Sequence, residues 1–376
     1  MAVDQETIRR VGHLLRRAGF GATPDEIQSY AAKGVAATVD ELVTFGDQPD
    51  ELDATFSKIS GDLLDPHNLE DIQTWWLYRM VHTAHPLQEK MTLFWHGHFA
   101  TAMYKVNNGQ FMQQQNDTLR KLALGNFKDI VSAMAKDPAM LIWLDGATNK
   151  KGAPNENFGR ELMELFTLGI GNYSEDDVHA AARAFTGWNL NYQAGQFQFN
   201  ANQHDASTKT FRGQTGTLNG DDIIANVVAD AATAKRLAGK LFAFFAYDNA
   251  DPQVVQPFAD LYLKSNFEMK PVVKAILLSD AFYADQSFAG HVKSPVEYVV
   301  GTVRSLGGQV RERSLAQALK QLGQDLYNPP NVAGWPGGTT WLDPASMLNR
   351  FNFGGVLAAG VKGAPTPQGG GYIDPE

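Results

Sequence analysis

NENFGRELMELFTLGIGNYSEDDVHAAARAFTGWN, residues 155–189, is the stretch of sequence that says most about the fold. It contains two helix-like runs, 155–168 and 175–186, which hold carboxylates, a histidine and arginines. Ser174 precedes the second run, and Asp177 lies three residues after Ser174, which is the capping-box pattern of a helix start. Structural helices rarely need so many specific polar groups, so we expect this block to form helices and to contribute to a polar site.

Helical patterns continue on both sides of this block. Residues 7–17 are predicted to form a helix that ends at glycines. A new helix is predicted to start at Thr23-Pro24-Asp25-Glu26, because Thr23 can cap, Pro24 suits the first turn and Glu26 completes a capping box. Further helical runs are predicted at 70–84, 87–103, 108–123, 126–136, 221–230, 233–245, 252–265, 270–279, 295–306, 314–322 and 343–351. The sequence therefore predicts a mainly α, multi-helix globular domain.

Two segments depart from the helical pattern. Residues 187–220 contain alternating NLNY and QFQFN runs, which predict a small β-hairpin insertion. Residues 325–343 form a long loop rich in proline, glycine and tryptophan. No internal repeat or clear linker divides the chain, so we expect a single domain over residues 1–359 and a flexible tail at 360–376.

Composition excludes several classes of protein. The chain has 376 residues, of which 44% are hydrophobic and 19% are charged, as is typical of a globular protein. Its net charge of -9 argues against a nucleic-acid partner, because non-specific binding needs a cationic face. The absence of cysteine excludes disulfides, thiolate zinc sites, iron–sulfur clusters and a cysteine nucleophile.

The sequence also bears on location. No stretch approaches the roughly 20 apolar residues that a membrane-spanning helix needs. The first residues, MAVDQETIRRVGHLLRRAGFG, lack the apolar core of a signal peptide. We expect a soluble, cytoplasmic protein on the chain as given, and a periplasmic or exported one if a signal has been trimmed.

Two histidines lie in the motif WHGHFA. In MTLFWHGHFATAM the apolar residues recur at helical spacing, which places His98 on the apolar face of a helix. His96 points about 200° away in an ideal helix, so the two histidines can share a metal only if the helix breaks at Gly97. His98 is either a core histidine bonded to a backbone carbonyl, or a neutral imidazole that acts as a ligand or a base.

The glutamates of the first helical run form two stripes. Glu156, Arg160 and Glu164 are spaced four residues apart, as in an ion-pair ladder on a solvated face. Asn157, Glu161 and Glu164 form a second stripe beside the apolar one. A carboxylate at that boundary can reach a cleft, so Glu161 or Glu164 serves either a site or the solvated surface.

The second run contains a further candidate ligand. His179 lies three residues after Asp176 and four after Glu175, a spacing that matches half of a helical carboxylate metal site. The same acids also fit the first turn of a helix, where negative charge is favourable. Arg183, one turn beyond His179, could pair with a carboxylate of the preceding helix.

The motif QHDASTK, residues 203–209, lies on the hairpin or on the loop that leaves it. His204 and Asp205 are adjacent and Lys209 is close, and adjacent side chains on a loop can converge. The alternative is an Asx-type turn, in which Asp205 accepts hydrogen bonds from local backbone N–H groups.

The loop NPPNVAGWPGGTTWLDP, which starts at Asn328, is stiffened by prolines and carries Trp335 and Trp341. Exposed tryptophans on such a loop suit stacking on sugar or aromatic rings. The alternative is a lid packed over the helical core, since tryptophan is usually buried.

Familiar catalytic and nucleotide-binding signatures are missing. The sequence contains no phosphate-binding G-x-x-x-x-G-K-[ST], no H-E-x-x-H and no G-x-S-x-G. Gly19-Phe20-Gly21 follows no strand, so it is not a dinucleotide fingerprint. We therefore expect no nucleotide cofactor.

Six motifs together resemble a known family. HLLRRAGFGATPDEI, FWHGHFAT, the block that opens with NENFGREL, HDASTKTFRG, KSPVEYVVGTVR and NPPNVAGWPGGTTWL occur in this order between His13 and Phe353. They resemble the bacterial domain of unknown function 1800 family. The resemblance implies no established activity. The positions that match the family motifs are His96, His98, Glu156, Arg160, Glu161, Glu164, Asp177, Arg183, Trp188, His204, Asp205 and Trp335.

The same resemblance implies a partner and a location. Members of the family often resemble exported proteins, and they are often encoded beside a sulfatase-like family, which implies a sulfatase-like protein partner. This chain departs from the pattern because it has no visible signal peptide.

The first functional hypothesis is a metal-assisted enzyme, hydrolytic or oxidative. The predicted ligands of a divalent zinc, iron or manganese ion are His96 or His98, His204, and Glu161 or Glu164. Asp205 or a free glutamate such as Glu164 would act as the base, and Arg160 would orient an anionic group of a small-molecule or glycan substrate.

Two alternatives stay open. In a metal-free binding module, Trp188, Trp335 and Trp341 would hold a carbohydrate or a partner protein. In a maturation or escort partner of a sulfatase-like protein, the polar motifs would be buried networks that specify the fold.

Overall fold

The computed structural model describes residues 3–45, 52, 65, 67–307 and 312–360, and it confirms a mainly α fold. The part of the predicted tail after Gly360 lies outside the described residues. In chain order, the helices are α1 Gln5–Ala18, α2 Pro24–Lys33, α3 Val35–Leu42, α4 Leu69–His82, α5 Pro86–His98, α6 Met103–Val106, α7 Gly109–Lys121, α8 Phe127–Ala135, α9 Pro138–Trp143, α10 Asn157–Glu161, α11 Glu175–Ala184, α12 Gly220–Val228, α13 Ala231–Phe245, α14 Pro252–Lys264, α15 Met269–Leu278, α16 Asp285–Ala289, α17 Pro295–Leu306, α18 Glu312–Gln321 and α19 Pro344–Gly360.

Local sequence signals start several of these helices. The side chain of Thr23 accepts from the backbone N–H of Glu26, and the Glu26 carboxylate accepts from the backbone N–H of Thr23, which completes the predicted capping box of α2. Ser174 and Asp177 form the corresponding predicted box at the start of α11. Such caps satisfy N–H groups that a helix start would otherwise leave unpaired.

The predicted hairpin is present, and a second one follows it. Strand β1 (Trp188–Asn191) pairs antiparallel with β2 (Gln196–Phe199). The second pair, β3 (Lys209–Phe211) with β4 (Gln214–Gly216), was not predicted from the sequence. The QHDASTK motif therefore connects two small hairpins.

Three predicted helical boundaries are corrected by the structure. The run predicted over 87–103 ends at His98, and the chain beyond it pairs with the 325–343 loop, since the backbone N–H of Met103 donates to the carbonyl of Tyr327 at 2.8 Å. The run predicted over 155–168 is α10 followed by a π-helix, Leu162–Phe166. The run predicted over 343–351 continues to Gly360.

A hydrophobic core extends through the helices from α1 to α19 and contains large side chains such as Trp76, Trp95 and Phe242. The core also encloses charged groups. Glu89 of α5 accepts hydrogen bonds from the side chains of Arg79 and Arg120, and Lys90 pairs with Glu297 of α17. No helix in the described part of the chain is long and apolar enough to cross a membrane.

Candidate functional site

His98 lies at the end of α5, with both ring nitrogens engaged. Its Nε2 is 3.0 Å from the carbonyl oxygen of Phe166, so Nε2 carries the hydrogen and donates. Its Nδ1 therefore accepts, and Lys240 Nζ donates to it at 3.2 Å. Burial, with the nearby charge of Lys240, holds the pKa of His98 well below its ordinary value. The sequence interpretation of a core histidine bonded to a backbone carbonyl is thus the one that the structure shows.

His96 occupies a different environment. Its Nε2 accepts the backbone N–H of Tyr327 at 3.1 Å, and its ring packs against Trp76 and Trp335. Burial lowers the pKa of His96 to about 3. This histidine fastens the 325–343 loop to α5.

His204 and Asp205 form a local turn between the two hairpins. His204 Nδ1 donates to the carbonyl of Thr186 at 2.9 Å. Asp205 accepts from the backbone N–H of Ser207 at 2.9 Å and pairs with Arg183 Nε at 2.8 Å. The structure thus shows the Asx-type turn. These hydrogen bonds hold the pKa of Asp205 well below its usual value, so Asp205 is a poor general base.

The arginines and His179 of the 155–189 block are used in surface pairs. Arg160 makes two hydrogen bonds of 2.8 Å to Glu175 and one of 3.1 Å to Glu156. His179 Nδ1 lies 2.8 Å from Glu156, so its ion-pair partner is neither of the acids that its spacing suggested. Arg183 pairs with Asp205, which corrects the expectation that it would pair with the preceding helix. The Arg160 guanidinium is therefore already paired with two surface glutamates, and it does not present free donors to a substrate.

These positions mean that the predicted metal-ligand set His96, His98, Glu161 and His204 is not assembled. In the part of the chain that the structure describes, no three histidine or carboxylate groups come together in a way that could hold a metal ion. The physical reason is that one or both nitrogens of each predicted histidine are committed to the backbone or to a neighbouring side chain.

The tryptophans pack mainly as parts of the core. Trp188 is 4% exposed and Trp341 is 7% exposed. Trp335 is partly exposed and packs on the ring of His96. The loop packs closely here, since a Cβ on Gly334 would lie 2.5 Å from the carbonyl oxygen of Gly97. The arrangement agrees with the interpretation of a lid over the core.

A groove at the π-helix brings polar groups together. It has a volume of about 870 Å³ and lies between the π-helix, the segment 168–172 and the first turns of α13. Glu164, Ile170 and Arg236 are among the side chains that line it, and Ile170 is 80% exposed at its rim. π-helical turns often occur at functional sites, and this one ends at Phe166, whose carbonyl accepts from His98.

The carboxylates of Glu161, at the end of α10, and Glu164, in the π-helix, lie in unequal environments. Glu164 accepts the hydroxyl of Tyr173 at 2.8 Å. Glu161, one turn earlier, is half-buried and has no hydrogen-bond or ion-pair partner among the described residues. Burial and the charge of Glu164 raise the pKa of Glu161. Two neighbouring acids in different environments are a common arrangement for acid–base chemistry.

Arg236 of α13 lies near enough to Glu164 for the two charges to interact, Lys240 follows one turn later, and the sequence analysis missed both. Arg236 and Lys240 are one turn apart, partly buried, and without an ion-pair partner among the described residues. The Arg236 Nε–H is buried and unbonded there, and its guanidinium reaches only the carbonyl of Leu165, at 3.4 Å. Burial, with the charge of Arg236, lowers the pKa of Lys240 to about 8.

One signal in the sequence could have found these cations. In AATAKRLAGKLFAFF, the basic residues at 236 and 240 lie four apart, along the edge of an otherwise apolar stripe. Long basic side chains at such a border usually extend into water. The tertiary structure shows that Arg236 lines the groove and that Lys240, one turn further along α13, lies against His98.

The comparison with protein families covers almost the entire chain. The family model described as protein of unknown function (DUF1800) matches residues 13–373. No curated protein and no solved structure matches the chain. The match extends over all of the elements that build the groove, from α5 to α13. The chain therefore belongs to the DUF1800 family.

Proposed function

We propose that the groove at the π-helix binds a small organic anion, a molecule that carries a carboxylate, sulfate or phosphate group. The observation that carries the proposal is the pair of partly buried cations, Arg236 and Lys240: among the described residues neither makes an ion pair or a hydrogen bond to a carboxylate, and only the more distant charge of Glu164 acts on Arg236. Charges removed from water are normally paired, because an unpaired buried charge is costly. A bound anion would supply the missing partner.

The hydrogen-bonding capacity of Arg236 supports this proposal. A guanidinium has five N–H donors in a planar fork that fits a carboxylate or a phosphate. In this chain Arg236 uses one donor, in a long contact of 3.4 Å, and its Nε–H is buried without a partner. The side chain also lies against Gly169, where a Cβ would come within 3.1 Å of Arg236 Nη1. It is therefore held in place before a ligand arrives.

The acidic side of the groove gives the site a chemical capacity beyond binding. Glu164, which lines the groove and accepts from Tyr173, is a candidate proton acceptor, and Glu161, one turn earlier and outside the groove lining, has a raised pKa and is a candidate proton donor. The predicted role of Glu164 as a base is thus retained as a proposal. The role of orienting an anionic group passes from Arg160 to Arg236, because Arg160 is already paired with Glu156 and Glu175.

Titration calorimetry with sulfate, phosphate and lactate as probes tests the binding. We expect the unmodified protein to bind at least one probe, and Arg236→Gln to bind it about tenfold more weakly or worse, since a charge-assisted contact is lost. The matched control is Lys264→Gln, an exposed lysine on α14, which should bind like the unmodified chain. Circular dichroism and thermal unfolding establish that both variants fold.

Two results would overturn the proposal. One is that none of the three anions binds to the folded, unmodified protein at millimolar concentration. The other is that folded Arg236→Gln and Lys264→Gln bind with the same affinity as the unmodified protein.

A further inference from the structure

The amine of Lys240 is held in an unusual way. Its Nζ donates to Nδ1 of His98 at 3.2 Å, and this ring nitrogen can only accept because Nε2–H is committed to Phe166. Among the described residues, no carboxylate pairs with Lys240, and its side-chain hydrogen-bond partner is His98. The surface lysines Lys33 and Lys136, by contrast, pair with Glu41 and Asp221.

This contact orients the nitrogen. When the amine is neutral, one of its N–H bonds points at His98 Nδ1, and its lone pair must then point away from the ring. His98 is itself fixed by Phe166 and by the rings of Phe94, Trp95 and Phe99. The amine therefore has a defined direction of attack, which an exposed lysine with a freely rotating chain lacks.

The position of Arg236 limits which part of a bound molecule can come near the Lys240 amine. Side chains four residues apart on a helix are neighbours, with about 5–6 Å between their Cβ atoms. An anionic group held by Arg236 would place the next one or two carbon atoms of the same molecule near Lys240. A carbonyl at that position fits a 2-oxo acid, whose carboxylate is bonded directly to the carbonyl carbon.

We propose that Lys240 forms an imine with the carbonyl group of an anionic substrate, of the 2-oxo acid class, whose carboxylate is held by Arg236. This inference rests on the proposed function, since the anion site supplies the orientation. His98 is the positioning residue that directs the amine.

The reaction is balanced without an oxidant or a reductant. The neutral amine attacks the carbonyl carbon, a C–N bond forms, and one N–H proton passes to the oxygen to give a carbinolamine. The C–O bond then breaks, and the hydroxyl leaves as water with the second N–H proton. The products are one imine and one water. Burial and the charge of Arg236, which lower the pKa of Lys240 to about 8, leave an appreciable neutral fraction near neutral pH.

Trapping with borohydride tests the imine. The full chain is incubated with pyruvate, sodium borohydride is added, and the intact mass and a peptide map are recorded. We expect one adduct, equal in mass to pyruvic acid less one oxygen atom, on the peptide that contains Lys240. Lys240→Arg, which keeps the positive charge, should lose this adduct, and Lys264→Arg should retain it.

The outcomes separate this inference from the proposed function. If the folded protein binds lactate but pyruvate and borohydride leave Lys240 unmodified, the imine is wrong and the anion site stands. Equal labelling of Lys240→Arg and the unmodified chain also overturns the imine. If sulfate, phosphate and lactate all fail to bind and no labelling is observed, the proposed anion site fails together with the imine.

Discussion

At the scale of single residues, the contact between Lys240 and His98 shows how one hydrogen bond can decide two chemical states. His98 is buried among aromatic rings, where a charged imidazole is strongly disfavoured. It therefore stays neutral and offers a lone pair to Lys240. Lys240 in turn lies beside the Arg236 guanidinium, with no compensating carboxylate among the described residues. The result is a lysine that loses its proton closer to neutral pH than an exposed one does.

The protonation state of Lys240 makes anion binding depend on pH. Its pKa is about 8, and a bound anion favours the ammonium form, so binding takes up a proton. Affinity for lactate should therefore fall as the pH rises from 7 through 8 to 9, by at most tenfold per pH unit. Burial raises the pKa of Tyr173 to about 12, so that group does not titrate in this window.

Lys240→Gln is the variant that checks this explanation. It should bind lactate more weakly at pH 7 and should lose most of the pH dependence, as measured by titration calorimetry at several pH values. The other groups that could titrate here are Glu164, Asp230 and Lys235, which line the groove with Arg236, and Glu161 and His98, which neighbour Glu164 and Lys240. An unchanged pH dependence in Lys240→Gln would assign the titration to one of them and contradict the role given to Lys240.

At the scale of elements, the site depends on the π-helix and the glycine-containing turn after it. The π-helix ends at Phe166, Thr167 Oγ1 donates to the carbonyl of Leu162, and the Phe166 carbonyl is left for His98. The turn then passes through Gly169 and Gly171, which both have φ above +80°. Such a backbone conformation strains other residues. Glycine avoids that strain at both positions, so the π-helix and the turn after it can bring α10, α5 and α13 together.

The two glycines form a matched pair for an experiment. A Cβ on Gly169 would lie 3.1 Å from Arg236 Nη1, whereas a Cβ on Gly171 would meet nothing within 4 Å. Gly169→Ala and Gly171→Ala should each cost about 1 kcal/mol of stability, because both have a positive φ. Only Gly169→Ala should also displace Arg236 and weaken anion binding, by roughly threefold to tenfold.

Calorimetry and urea unfolding of both variants measure the two effects separately. The arrangement proposed for Arg236 would be contradicted if Gly169→Ala and Gly171→Ala changed lactate affinity equally. It would be supported if the stability losses were similar and only the affinity losses differed.

At the scale of the whole molecule, the sequence predicts those features that depend on interactions between residues close together in the chain. The capping boxes at Thr23 and Ser174 lie within four residues of chain, and the structure confirms both. The helical class follows from the periodicity of apolar side chains, which is also local. Glu161 and Glu164 were expected at the border of an apolar stripe, and the structure places Glu164 in the groove.

What the sequence did not predict depends on contacts between distant segments. The break after His98 coincides with pairing to Tyr327, more than 200 residues away along the chain. The engagement of His98 depends on Phe166 and Lys240, which belong to two other elements. No spacing rule in a single sequence reports such contacts. For the same reason, histidines that lie in separate motifs were expected to share one pocket, whereas in the described part of the chain they form no group of three ligands that could hold a metal ion.

The buried pair of Lys90 and Glu297 is another contact between distant segments, and it bears on the stability of the whole fold. Lys90 lies on α5 and Glu297 on α17, and their side chains are 0% and 7% exposed. Glu297 also accepts from His291 Nε2 at 2.9 Å and from the backbone of Ser294 at 2.8 Å. Burial lowers the pKa of Lys90, while Lys90 and His291 hold the pKa of Glu297 well below its usual range against the effect of burial.

Replacing one member of this pair leaves the other charged in the core. Lys90→Met should therefore lower the free energy of unfolding by about 3–5 kcal/mol, as measured by urea denaturation at pH 7. The matched control is Lys33→Met, which breaks an ion pair of 2.6 Å to Glu41 whose side chains are 44% and 47% exposed. An exposed pair contributes at most about 1 kcal/mol. If Lys90→Met costs no more than Lys33→Met, the buried pair is not what joins the α5 region to the α17 region, and apolar packing alone accounts for their association.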